Sequence, residues 1–135
     1  MFKPLLLSAL LLSASSLTFA ELKISEKIRP EIKSQVNPDI QRLPLPPTPG
    51  NISLPAYGQG IIGWGTGPDG AATRLANVTK ADVEKYKTQG VTLDMIQTWQ
   101  KFYENETRRN AGNPTAPIRA ELMKKNYQFM VKLMF

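Results

Sequence analysis

The 135-residue sequence contains neither cysteine nor histidine. Without cysteine it can form no disulfide and no thiolate nucleophile, and without histidine it lacks the commonest side-chain base and metal ligand. Most metal sites and most nucleophilic triads are therefore excluded, and we expect neither a metal nor a cofactor. The length allows one small domain with tails and excludes large, multi-domain enzymes.

Long apolar runs are also absent. No stretch reaches the roughly 18 consecutive apolar residues of a membrane-spanning helix. The first residues nevertheless have the layout of a secretory signal: Lys3, an apolar run over residues 5–12, and small residues Thr18 and Ala20 before a cleavage point. No cysteine follows Ala20, so no lipid anchor is expected. We predict a signal peptide over residues 1–20 and a periplasmic or secreted chain with no integral membrane anchor after cleavage.

Prolines are concentrated between residues 21 and 54. Proline fixes its own backbone and pushes the preceding residue toward extended geometry, so regular packed elements are not expected at this density. We predict a flexible tail over residues 21–54 that includes a semi-rigid extended tether from Leu43 to Pro49. Recognition of this tether by an aromatic groove, or ordering of the tail on a partner, remains the alternative.

Six glycines lie between Gly58 and Gly70, in the sequence GQGIIGWGTGPDG. Because glycine loses more backbone freedom on folding than any other residue, we expect a shaped loop here. Gly58, Gly60 and Gly63 fit a dinucleotide-binding spacing, but no strand precedes them, so we expect no nucleotide. The glycines instead predict a close approach of the backbone to the domain's own helices or to a ligand, with Trp64 supplying contact surface.

The rest of the sequence is punctuated as a series of helices. The predicted boundary residues are Asp69 and Asn77 for the first helix, Thr79, Asp82 and Gly90 for the second, Thr92 for the third, and Thr115 for the fourth. Apolar residues recur at helical spacing, as at Trp99, Phe102 and Tyr103. The sequence therefore predicts an all-α domain over residues 55–135, with three or four helices covered by the Gly-rich loop and preceded by the Pro-rich extended tether.

Carboxylates, tyrosines and basic side chains supply the chemistry that remains. Glu104 and Glu106 beside Tyr103 are candidates for general acid and base catalysis, although Glu104 also stands four residues before Arg108, as in a surface ion pair. Arg119 lies in the first turn of a helix, where its charge opposes the helix dipole, so it needs an oxygen partner on the protein or on a ligand. The candidate catalytic residues are Glu104, Glu106, Tyr103 and Arg119, and the candidate binding residues are Trp64, Gly65, Gly67 and Arg119.

The net charge is +6, and most of it lies from Lys101 onward, where seven Lys or Arg residues face three Glu residues. Such a surface suits an acidic protein or an anionic polymer. Nucleic acid is a weaker candidate, because the charges form no continuous basic block and a solvated helix surface explains them as well.

Four short motifs follow one another along the chain: GWGTGPDGA from Gly63, Trp99 with Phe102 and Tyr103, NPTA from Asn113, and Arg119. Together, over residues 57–130, they resemble a small bacterial domain of unknown function. The resemblance implies a domain that occurs in short exported proteins of Gram-negative bacteria and at the C-terminal ends of some polymorphic toxins. It implies no catalytic residues. We therefore expect an exported helical binding module of unknown ligand; the alternative is a small secreted toxin-like hydrolase acting on cell wall or nucleic acid.

Overall fold

The computed structural model describes residues 35–135, so the predicted signal peptide and residues 21–34 of the predicted tail lie outside the described residues. A short helix, α1 (Leu54–Tyr57), runs directly into a π-helical turn (Gly58–Ile62). The longer helices are α2 (Gly67–Asn77), α3 (Lys80–Thr88), α4 (Leu93–Arg109) and α5 (Ala116–Met134). Over residues 35–135 the β-pairing is limited to an isolated bridge between Val36 and Asn110, which confirms the predicted all-α class. None of the described helices is long and apolar enough to cross a membrane.

The start and stop signals of α3 and the start of α4 were predicted correctly. The Thr79 side chain accepts a hydrogen bond from the Asp82 amide at 3.2 Å, and the Asp82 carboxylate accepts one from the Thr79 amide at 2.9 Å. Gly90 adopts a left-handed φ of 98° just after α3. Thr92 then accepts a hydrogen bond from the Met95 amide and caps α4. These signals act over three or four residues, which is why the sequence alone locates them.

The starts of α2 and α5 differ from the prediction. Helix α2 begins at Gly67, so Asp69 lies in its first turn instead of at the cap. At the start of α5, the Asn113 side-chain oxygen accepts from the amides of Thr115 and Ala116 at 3.0 and 3.3 Å. Asn113 therefore does the capping that was predicted for Thr115, because Thr115 has a helical backbone (φ −89°, ψ −30°) instead of the extended one of a capping residue.

The core is centred on Trp99 of α4, which is fully buried. Its ring lies 5.5 to 6.0 Å, between centroids, from the rings of four other aromatic residues: Tyr57, Trp64, Phe102 and Tyr103. Helix α5 packs along α4 and contributes buried Leu122, Met123 and Met130. These five aromatic residues thus join α1, the Gly-rich segment (residues 58–70) and α4.

The Gly-rich segment differs in part from the predicted loop, since residues 58–62 form a π-helical turn. The Gly58 carbonyl closes this turn by accepting from the amides of both Gly63 and Trp64, at 2.7 and 2.8 Å. Buried Ile61 and Ile62 offset the entropy cost of the ordered glycines. The Trp64 ring lies against the backbone of Gly58, so the expected close packing of this segment on its own domain is present.

Replacement of Gly58 by alanine should displace the Trp64 ring and lower the free energy of unfolding by about 1–3 kcal/mol, the usual cost of overpacking. The added Cβ would lie 2.0 Å from Cε3 of Trp64. Gly60 provides the matched control, because nothing lies within 4 Å of a Cβ built there and its φ is not positive. Urea unfolding followed by circular dichroism measures both variants; equal midpoints would contradict this packing.

Residues 41–49 of the Pro-rich segment (residues 35–53 in the described chain) form no helix or strand, but the segment packs on the helices where a free spacer was predicted. The Asn105 side chain donates to the Gln41 carbonyl at 2.9 Å, and the Trp99 indole donates to the Pro47 carbonyl at 3.2 Å. Pro46 and Pro49 are buried. The buried donors of α4 need acceptors, and an extended chain with free carbonyls provides them. The packed unit therefore starts before residue 55.

Candidate functional site

Five of the candidate residues meet at a single cleft of about 440 Å³. Its walls come from the Pro-rich segment, the Gly-rich segment, α4 and the start of α5. The lining residues are Arg42, Leu45, Leu54, Trp64, Gly65, Phe102, Tyr103, Glu106, Asn113 and Arg119. Docking of the Pro-rich and Gly-rich segments on α4 and α5 thus brings together side chains that are more than 50 residues apart in the sequence, such as Trp64 and Arg119.

Trp64 and Tyr103 form one wall of the cleft. The Trp64 indole nitrogen donates a hydrogen bond to the Tyr103 hydroxyl at 2.7 Å. Two left-handed glycines flank Trp64, with φ of 91° at Gly63 and 85° at Gly65, and this backbone turns the indole toward α4. Burial raises the pKa of Tyr103, although the hydrogen bond from Trp64 and the charge of Arg119 oppose the rise. The hydroxyl therefore keeps its proton near neutral pH and can donate a hydrogen bond.

Arg119 lies beside Tyr103, with its guanidinium carbon 5.9 Å from the centre of the tyrosine ring. Its Nε is buried and has no hydrogen-bond partner among residues 35–135. No carboxylate in this part of the chain forms an ion pair with Arg119. Arg119 thus acts on the Tyr103 hydroxyl and opposes the rise in its pKa that burial causes, while its own Nε–H remains a buried donor without a partner in the described residues.

Glu106 is the one carboxylate among the lining residues, and it is only 8% exposed. Arg109 donates to both of its oxygens, at 3.1 and 2.9 Å, and the hydrogen bond to Glu106 raises the pKa of Arg109. Arg42 contributes a longer ion pair, at 3.7 Å. The oxygens of Glu106 are therefore already engaged by the protein's own cations.

Glu104 and Gly67 do not line the cleft. Glu104 is exposed and forms no ion pair with Arg108, so the predicted pairing is not present; two flexible exposed side chains gain little from one. Gly67 has a left-handed φ of 68° at the start of α2, which gives it a conformational role. In residues 35–135, no group of three or more acidic side chains could hold a metal ion.

Arg42 and Asn113 are cleft residues that the sequence did not identify. Arg42 lies 6.0 Å over the Phe102 ring, a contact fixed by the docking of the Pro-rich segment, for which no local signal exists. From the sequence, Asn113 was identified only as the start of the NPTA motif. Its side-chain oxygen accepts three hydrogen bonds from Thr115 and Ala116, which leaves its NH₂ group as a donor at the cleft.

The family model described as "Domain of unknown function (DUF4951)" matches residues 32–130. The chain belongs to this family. The resemblance inferred from the Gly-rich, aromatic and Asn-Pro motifs is thereby confirmed at the level of a domain of unknown function. The matched region of the DUF4951 chain begins within the Pro-rich segment, in agreement with the packing of that segment on α4.

A solved structure, described as "NMR structure of the protein from Acinetobacter baumannii", resembles this DUF4951 chain. The two sequences are 57% identical, the TM-score is 0.58, and the match covers 69% of this chain and 87% of that chain. No curated protein matches the chain significantly. Neither similarity concerns a polymorphic toxin, so that part of the resemblance stays a prediction.

Proposed function

We propose that this DUF4951 chain is an exported binding module that holds an anionic ligand in the cleft between the Gly-rich segment and helices α4 and α5. The observation that carries the proposal is Arg119, a cleft residue that forms no ion pair within residues 35–135 and whose buried Nε–H has no hydrogen-bond partner there. A buried charged donor without an acceptor is costly, and an oxygen of a bound ligand would remove that cost.

The charges around the cleft support an anionic ligand. Arg42 and Arg119 line the cleft, and its one carboxylate, Glu106, is paired with both Arg109 and Arg42. The excess of basic residues from Lys101 onward adds a positive field that would attract an acidic protein or an anionic polymer. The signal-like residues 1–20 support export to the periplasm or beyond.

A small hydrolase of cell wall or nucleic acid has less support. Hydrolysis by paired carboxylates needs two such groups at the bond to be cleaved, whereas Glu106 stands alone in the cleft and Glu104 lies outside it. The oxygens of Glu106 already accept hydrogen bonds from Arg109. Tyr103 retains its proton, so it is a hydrogen-bond donor and not an activated nucleophile.

Poly-L-glutamate binding by the wild-type chain and by an Arg119→Gln variant tests the proposal. The full chain is produced in a Gram-negative host, recovered from the periplasm and titrated with the polymer by calorimetry. Loss of a charge-assisted hydrogen bond should weaken binding by about tenfold or more. Arg108→Gln is the matched control, because Arg108 is exposed and does not line the cleft; it should weaken binding by less than about threefold.

Three outcomes would contradict the proposal. Equal weakening in the Arg108→Gln and Arg119→Gln variants would show that only general surface charge is involved. Uncleaved chain retained in the cytosol would overturn export. Growth arrest of the producing cells that Glu106→Gln abolishes would favour the hydrolase.

A further inference from the structure

We infer that the ligand of this cleft is a monocarboxylate with an apolar group next to the carboxylate. The inference rests on the proposed function and specifies the chemistry of its ligand. The cleft combines hydrogen-bond donors on one side with apolar side chains on the other, and each half limits the ligand in a different way.

The donor side is suited to a planar carboxylate. Arginine presents Nε–H and a terminal N–H along one edge, a geometry that matches the two oxygens of a carboxylate. In Arg119 the Nε–H has no partner within residues 35–135. The Tyr103 hydroxyl accepts from Trp64, so its own hydrogen remains available, and the NH₂ group of Asn113 adds a further donor to the lining. These donors come from α4 and from the start of α5.

The charge balance favours one negative charge over two. The charged residues that line the cleft are Arg42, Arg119 and Glu106, and Arg109 pairs with Glu106 from outside the lining. Arg42 already lies 3.7 Å from Glu106, so Arg119 is the cation left for the ligand. A phosphate dianion would bring its second charge close to the Glu106 carboxylate and would compete with it for Arg42 and Arg109, whereas a monoanion needs Arg119 alone.

The apolar side accommodates a side chain of the size of a benzyl or isobutyl group. Leu45, Leu54, Trp64 and Phe102 contribute to the lining, and Trp64 is only partly buried. A cavity of about 150 Å³ is large enough for benzene. The cleft, at about 440 Å³, therefore has room for an aromatic ring and an attached carboxylate. A carboxylate with an apolar group beside it occurs both at the C-terminus of a peptide and in a free apolar acid.

The test uses three small probes on the purified full chain: N-acetyl-L-phenylalanine, its uncharged amide, and phenyl phosphate. Nitrogen-detected NMR follows the Trp64 indole and Arg119 Nε signals during titration. We expect the acid to shift both signals and the other two probes to bind at least about tenfold more weakly. Arg119→Lys keeps the charge but loses the planar edge, and it should weaken acid binding about tenfold, while Arg108→Lys leaves it unchanged.

Two further probes distinguish the sources of the carboxylate. A tetrapeptide ending in phenylalanine represents a peptide C-terminus, and 3-phenylpropanoate represents a free acid. Tighter binding of the peptide assigns the cleft to chain ends, tighter binding of the free acid assigns it to small acids, and either order supports the inference.

Equal affinity for the acid and its amide would overturn the inference, as would tighter binding of phenyl phosphate or no effect of Arg119→Lys. Poly-L-glutamate has carboxylates but no apolar group beside them. If it binds through Arg119 and the small apolar acids do not, this inference fails and the proposed function stands. If neither kind of probe binds, both fail.

Discussion

Truncation of Trp99 to alanine should lower the free energy of unfolding by about 3–5 kcal/mol, a large fraction of the stability of a small domain. Trp99 is fully buried and contacts four aromatic rings, so the truncation leaves a cavity between α1, the Gly-rich segment and α4. Contacts across such a cavity are lost because the surrounding backbone relaxes only in part.

The Trp99→Ala change should also release the Pro-rich segment. The indole of Trp99 donates to the Pro47 carbonyl at 3.2 Å, and the truncation removes this donor. The neighbouring anchor, from Asn105 to the Gln41 carbonyl, remains. We therefore expect the exchange of the Ile52 amide, which donates to the Pro49 carbonyl at 3.1 Å, to increase in the variant. The exchange of the Asn37 amide, which donates to the Arg109 carbonyl at 2.7 Å, should change less.

Urea unfolding followed by circular dichroism measures the stability loss, with Phe135→Ala as the control. Phe135 is 95% exposed, so its truncation should change the free energy of unfolding by less than about 0.5 kcal/mol. Similar unfolding midpoints for the two variants would show that Trp99 is not the centre of the core.

The helical part of the fold is predictable because its signals are local. Thr79, Asp82 and Gly90 specify where α3 begins and ends through contacts spanning a few residues. The docking of the Pro-rich segment has no such signal. The contact between Pro47 and Trp99 spans 52 residues, and nothing in a proline-rich sequence distinguishes a segment that packs from one that is free. The π-helical turn is hidden for a similar reason, since it depends on how Trp64 packs on Gly58.

Most residues of the candidate site could be predicted from the sequence, but which of them lie together in space could not. Tyr103 and Glu106 are three residues apart on α4 and share a face, which the helical spacing implies. Glu104 is two residues from Glu106 and so falls on another face. Arg119 was predicted as a site residue because its charge opposes the helix dipole. Its position beside Tyr103, however, depends on the packing of α5 against α4, which pattern alone does not determine.

Replacement of Asn126 by leucine should raise the free energy of unfolding by about 1–2 kcal/mol. Asn126 lies on α5, is fully buried, and neither polar atom of its side chain has a hydrogen-bond partner among the described residues. Buried Met123 and Met130 lie on the same helix, one turn away on either side. Leucine has a similar size and removes two unsatisfied polar atoms from an apolar environment.

Asn105→Leu is the matched control, because it makes the same chemical change at another buried asparagine. The Asn105 amide donates to the Gln41 carbonyl at 2.9 Å, so leucine there removes a satisfied hydrogen bond and leaves that carbonyl without its donor. This variant should be less stable than wild type by about 1–3 kcal/mol. Thermal unfolding separates the two cases, since each kcal/mol corresponds to about 4–8 °C in a domain of this size. The changes in unfolding free energy are expected to have opposite signs in the two variants, because within the described residues only the Asn105 amide is hydrogen-bonded. A lower melting temperature for Asn126→Leu would therefore mean that a buried water or a rearranged side chain satisfies Asn126.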